Sequence, residues 1–262
     1  MFQLLKVEWL KVKDYRTFWV LSVLYLISLF GANYITYQIY QARPTKSNMA
    51  KDIIGSPFDF PDIWHVVSYT SSFLMFMLGL LIIISVTNEY SYKTHRQNII
   101  DGWSRREFVL VKSLLTVIVA LCASIAVFII AVLFGLYENA ASFTFEKIEF
   151  VGYFFIQALS YSAAALLFSL LFKRSGITIG VYFLYTLILE NMLAAILNRY
   201  ADNVGRYLPL ESTDNLIRVP VFKVIINQFS ASYNITALLT MSVVYLALYY
   251  FLSYKKFETD DL

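Results

Sequence analysis

Residues able to do chemistry are few in this chain, and they stand apart. His65 and His95 lie on different connections, at neither the HExxH nor the HxxxH spacing that would hold a zinc ion. Cys122, the only cysteine, sits inside an apolar run. It can form no internal disulfide or thiolate metal site and reads as a small packing residue. No GxxxxGK[ST] stretch is present to cradle a triphosphate, so the chain does not itself hydrolyse ATP. Two features remain. One is a charged segment at 88–112, NEYSYKTHRQNIIDGWSRREFVLVK, and the other is Glu190, an acidic residue deep within an apolar stretch. The chemistry open to the first is shape and charge offered to a partner. Glu190 can line a substrate path, close a gate by pairing with a base such as Arg199, or serve a structural hydrogen bond.

The elements that must position these residues are membrane helices. Apolar residues make up 59% of the chain and charged residues 15%, whereas a soluble domain is about half apolar and a quarter charged. Aromatic residues, 18% of the total, gather near the ends of apolar runs, as in interfacial belts. The net charge of +3 comes from lysines and arginines scattered between the runs, so there is no basic stripe for nucleic acid.

Six spans are expected, at 18–39, 63–87, 107–136, 150–172, 176–197 and 234–254. About 20 residues at 1.5 Å each cross a hydrocarbon core of about 30 Å. Residues 1–17 mix Lys6, Glu8, Lys11 and Lys13 with Phe2, Leu5, Trp9 and Val12, the pattern of an interfacial helix leading into the first span without a cleavage site. Residues 173–175 leave room only for a tight basic turn. The short pieces at 1–17, 88–106, 173–174 and 255–256 carry more lysine and arginine than the longer pieces opposite them, which places both termini and the 88–106 segment in the cytosol.

Within that segment the pattern predicts a helix over 88–101, about four turns, with Ile99 and Ile100 packing on its neighbours. Gly102 ends it. Ser104 and Glu107 have the capping-box spacing, so a new helix starts there, and Lys112, about two turns further on, is expected to snorkel toward the cytosolic face. Glu190 lies about 21 Å along its span. Exposing it to lipid would cost on the order of 3 kcal/mol, so it should face protein or water. Tyr185, Thr186 and Asn191 are within reach as local partners. Gly176 and Gly180, one turn apart, allow close helix approach within the chain or between subunits.

The 88–107 pattern of helix, glycine break and capped span resembles the coupling helix of bacterial ABC-2 type transporter permeases. Three further stretches resemble that family: EWLKVKDYRTFW, from Glu8 to Trp19, its elbow helix; LYTLILENML, with Glu190, its LxLxLE run; and RYLPLES, from Arg206 to Ser212, its YLP element. The resemblance implies an all-α membrane protein of the inner membrane, a single transmembrane domain over 1–262. It also implies an interfacial elbow, a coupling helix between spans two and three, and short re-entrant segments in 198–233, at Tyr207-Leu-Pro and Val219-Pro220-Val-Phe. Two permease subunits would pair, as a homodimer or heterodimer, and each would bind a cytosolic ATPase. No cofactor is bound by this chain; ATP and magnesium belong to that partner. Glu89, Arg96, Gln97, Asp101, Arg105 and Arg106 would make the polar contacts with the ATPase. The function implied is export of a hydrophobic or amphipathic substrate, including peptide antibiotic export or immunity. The alternative is an ion-coupled carrier working without ATP. An intramembrane enzyme would need paired acids, histidines or a serine dyad at membrane depth, which the sequence lacks.

Overall fold

Ser104 and Glu107 start the longest helix of the chain as their spacing requires. The Ser104 amide donates to the Glu107 carboxylate at 2.8 Å and the Glu107 amide donates to the Ser104 hydroxyl at 3.2 Å, satisfying two amides that the helix start leaves open. In the computed structural model, which describes residues 2–42, 57–139, 143–201, 203–220 and 234–259, every regular element is helical.

In chain order these are α1 (Phe2–Lys13), α2 (Arg16–Gln41), α3 (Ile63–Ser72), α4 (Met75–Ser91), α5 (Thr94–Ile100), α6 (Arg105–Asn139) and α7 (Glu149–Phe172). There follow α8 (Ser175–Leu184), a π-helical turn Tyr185–Leu189, α9 (Glu190–Tyr200), a 3-10 turn Val204–Tyr207, α10 (Glu211–Asp214) and α11 (Ile235–Glu258). Among the described residues, five helical stretches are long and apolar enough to cross a membrane, and α3 with α4 makes a sixth if the pair is one span. This is a multi-pass membrane protein.

The core is built around α7. Of its most apolar stretch 72% is buried, against 17% for α2 and α11, which leave Val23, Ile27, Val243 and Phe251 facing outward. Small residues on α7, Ala158, Ala163, Ala164 and Ala165, are fully covered, so α4, α6 and α11 can approach its backbone closely.

The expected second span, 63–87, is not one straight helix. α3 and α4 meet at an angle of 50°. The break follows the Ser71-Ser72 pair, and Asn33 of α2 donates to the Ser71 hydroxyl at 3.1 Å while also donating to its own Leu29 carbonyl. A serine pair with a side chain bonded at the bend is a recognised cause of a kink. The expected helix over 88–101 is also divided. α4 continues to Ser91, Lys93 adopts a left-handed conformation at φ 57°, and α5 then runs for seven residues. Gly102 ends α5 at φ +99°, where the Trp103 amide donates to Asn98 O and the Gly102 amide to Ile99 O. That pair of bonds is a Schellman closure, which needs a residue free to take positive φ.

Candidate functional site: a charge clamp and an exposed tip

At one end of the bundle, α1, α4 and α6 each contribute charge to a single buried cluster. Lys112 of α6 is 1% exposed. Its Nζ pairs with the Glu8 carboxylate of α1 and lies 2.6 Å from Glu89 Oε1 of α4. Lys11, half-buried on α1, reaches the same Glu89 oxygen at 3.1 Å. Two carboxylates and two ammonium groups thus balance. The cluster is a neutral clamp that ties the first helix to the end of α4 and the start of α6. Lys112 does not snorkel, because two acidic partners satisfy it in place.

The same clamp holds the base of α5. His95 Nδ1 donates to the Glu89 carbonyl at 3.0 Å, and the imidazole packs 4.5 Å from the Tyr90 ring, over which Lys173 lies at 5.8 Å. His95 and Asn98 are the buried positions of this short helix. That fixes its rotation, and the opposite face is exposed: Arg96, Gln97 and Asp101, with Ile100 at 84% and the flanking Tyr92 at 74%. Beside them the C-terminal end of α11 closes the rim. Arg105 donates to the carbonyls of Phe257 and Glu258, Phe257 stacks on Phe108 at 4.5 Å, and Arg106 comes within 4.0 Å of Glu258.

A second polar arrangement joins α9 to the short elements that follow it. Glu190, 3% exposed, accepts the backbone N–H groups of Leu210 and Glu211, so a carboxylate caps the start of α10. Ser212 meets Ser242 of α11 at 3.2 Å, and Asp214 accepts from Gln157 at 2.8 Å and from Tyr161 at 3.0 Å, both on α7. Gly205 lets the 3-10 turn lie directly on α9, where a Cβ would come within 2.3 Å of the Ala194 carbonyl oxygen. Burial pushes the Asp214 carboxyl up to about 7; the Gln157 bond opposes this and the nearby Glu211 charge adds to it. No group of three or more His, Cys, Asp or Glu able to hold a metal ion occurs among the described residues.

A family model described as ABC-2 family transporter protein matches residues 4–189, well over half of the chain. The chain belongs to the ABC-2 transporter family. A search of the curated proteins found no match. An ABC-2 permease is the membrane transport component and not the ATPase, and such permeases generally work with a cytosolic ABC ATPase. The family match covers α1 to α8 and stops one residue before Glu190, so the α9–α10 arrangement stands on geometry alone.

The contact residues read from the sequence of this ABC-2 permease fall into two groups. Arg96, Gln97, Asp101 and Arg106 are all exposed. Glu89 is turned inward, 6% exposed and held by Lys112 and Lys11, and Arg105 is tied to the end of α11, so neither projects as a free contact. Ile100, expected to pack on neighbouring helices, faces outward instead. Missed from sequence were the clamp residues Glu8, Lys11 and Lys112. A lysine inside a long apolar helix was the available signal, since such a charge demands partners.

Glu190 pairs with backbone amides and not with Arg199 among the described residues. The π turn directly before it went unforeseen. A Cβ at Gly176 or Gly180 would meet nothing within 4 Å, so neither glycine is needed for close packing among the described residues. The second expected half-inserted segment, at Val219-Pro220-Val-Phe, extends outside the described residues.

Two measurements check the α10 anchor. Glu190→Ala orphans one buried and one part-buried amide and should cost about 1–3 kcal/mol, whereas Glu190→Gln retains an acceptor and should melt close to wild type. Detergent melting curves compare them. Asp214 is held protonated in the fold well above its ordinary range. The unfolded chain therefore releases its proton first as pH rises, and stability should fall from about pH 4 to about 7 and then level. Asp214→Asn should remove that slope between about pH 4 and about pH 7.

Proposed function

We propose that this ABC-2 protein is the permease subunit of an ATP-binding cassette exporter. In this reading both termini face the cytosol, α1 is an interfacial elbow, and α5 is the coupling helix on which a separate ATPase docks. The observation that carries the reading is the construction of the tip. Its base is fastened through Glu89 and His95 to a buried clamp shared by α1, α4 and α6, while its far face offers Tyr92, Arg96, Gln97, Ile100 and Asp101 to a partner. A displacement applied to that face reaches three helices at once, because none can shift without separating buried charges.

ATP and magnesium act on the partner, and this chain supplies the lever and the path. Export of a hydrophobic or amphipathic substrate, such as a peptide antibiotic in self-protection, follows from the family likeness and from the apolar flanks of α2, α8 and α11. Pairing of two permease subunits would set the open faces of Gly176 and Gly180 against a neighbour. Family membership does not favour the ion-coupled alternative.

The test is charge reversal on the exposed rim. Arg96→Asp combined with Asp101→Arg leaves every buried contact described above in place. It should lower both co-purification of the cognate ATPase and its vanadate-sensitive hydrolysis, while the solubilised permease melts as before. Unchanged binding and hydrolysis would falsify this assignment of α5.

A further inference from the structure

A groove of about 450 Å³ runs between α1 and α2 on one side and α4 and α6 on the other. Its walls are almost wholly apolar and include Tyr25, Leu26, Leu81, Leu115, Ile118 and Cys122. Leu26 and Ile118 are about half exposed and Cys122 is exposed, so the groove opens along the flank of the bundle. Cys122, read from sequence as a packing residue, therefore lies in its wall with one side uncovered. Along α6 the lining runs from Val111 to Ala123, about 18 Å at 1.5 Å per residue. That is a little over half of a hydrocarbon core of about 30 Å. The depth fits a single leaflet.

The α1 end of the groove has a different character. Trp9 and Trp19 line it edge to face, their ring centroids 6.3 Å apart, and the Trp19 indole donates to the Lys13 carbonyl at 3.0 Å. Lys6, Lys13 and Arg16 are exposed, each within three residues of a lining side chain on α1 or α2. Glu8 at the same end is neutralised by Lys112, which leaves exposed Asp14 as the acidic group among these cations. Indoles beneath a net positive rim, above an apolar slot one leaflet deep, are the chemistry of a headgroup boundary that attracts negative charge.

We propose that this groove holds one acyl chain of an anionic phospholipid, with the phosphate drawn to Lys13 and Arg16 and the chain laid along α6 toward Cys122. The lipid comes from the leaflet on the α1 side, which is the cytosolic leaflet under the orientation given above. Seated there, it fills the gap between the elbow and α6 beside the buried charge clamp.

The full chain placed in nanodiscs of equal phosphatidylglycerol and phosphatidylcholine, then released for native mass spectrometry, tests this. Phosphatidylglycerol should be retained about tenfold over phosphatidylcholine. Lys13→Glu with Arg16→Glu, both at exposed positions, should bring the ratio near one. Ser22→Phe, which fills the groove from α2 without changing charge, should lower the lipid retained. Equal retention of the two lipids by wild type, a preference that survives the charge reversal, or retention untouched by Ser22→Phe would overturn the proposal. A lipid-free dimer with the groove covered by a second copy would also overturn it. These readouts need neither ATPase nor orientation, so their failure is separate from failure of the coupling role.

Discussion

Lys112→Met should destabilise the protein by about 3–5 kcal/mol, the cost expected when one member of a buried charge pair is deleted and the other stays behind. Methionine keeps nearly the volume of the side chain, so the loss is mainly of charge. Glu89 would still have Lys11 at 3.1 Å, whereas the Glu8 carboxylate, 5% exposed, would lose its closest cation. Adding Glu8→Gln to Lys112→Met restores neutrality and should recover most of the melting temperature lost. Thermal unfolding of the detergent-solubilised protein, followed by size exclusion, reads both variants. A single variant that melts with wild type would mean that the four charges do not hold α1, α4 and α6 together. The comparison separates net charge from geometry, since the double variant lacks two of the four groups and still balances.

Ile100→Glu should have the opposite profile: no measurable loss of stability and a large loss of coupling. The side chain is 84% exposed, so nothing within the described chain depends on it. A large apolar residue held outward among Arg96, Gln97 and Asp101 fits the centre of a protein contact, where truncation or reversal of character typically costs about 2 kcal/mol or more. That corresponds to binding of the ATPase at least about thirty-fold weaker. Titration of solubilised permease with the cognate ATPase, paired with vanadate-sensitive hydrolysis, reads the change. Tyr92→Ala, on the same exposed rim, should weaken binding in the same direction. If both variants bound normally, the docking surface would have to lie elsewhere on this face.

Much of the architecture was legible in the chain because membrane helices are specified by composition and by near neighbours. The apolar runs needed only counting against bilayer thickness, and the limits of α2, α6, α7 and α11 fall within a few residues of the expected spans. Capping at Ser104 and Glu107 and closure at Gly102 were legible for the same reason, since each is a contact across three to five residues. The left-handed turn at Lys93 was not. A lysine gives no such warning, and its conformation follows from Glu89 being held by α6 while His95 is held by the Glu89 carbonyl. On α5 the hydrophobic pattern misled. Polar His95 and Asn98 are buried and apolar Ile100 is exposed, an inversion that fits the docking role proposed for α5.

By itself the sequence determined that this is a chain of membrane helices, roughly where the long ones lie, and which charged segment falls between the second and third spans. Those properties depend on hydrophobicity and on bonds between residues a turn apart. Only the tertiary structure decided that Lys112 meets Glu8 across 104 positions and Glu89 across 23, and that Glu190 caps α10 twenty residues away. Burial makes these contacts necessary, because an ion or amide out of water must find a partner. The choice of partner is made by how the helices pack, and no local pattern in the chain records it.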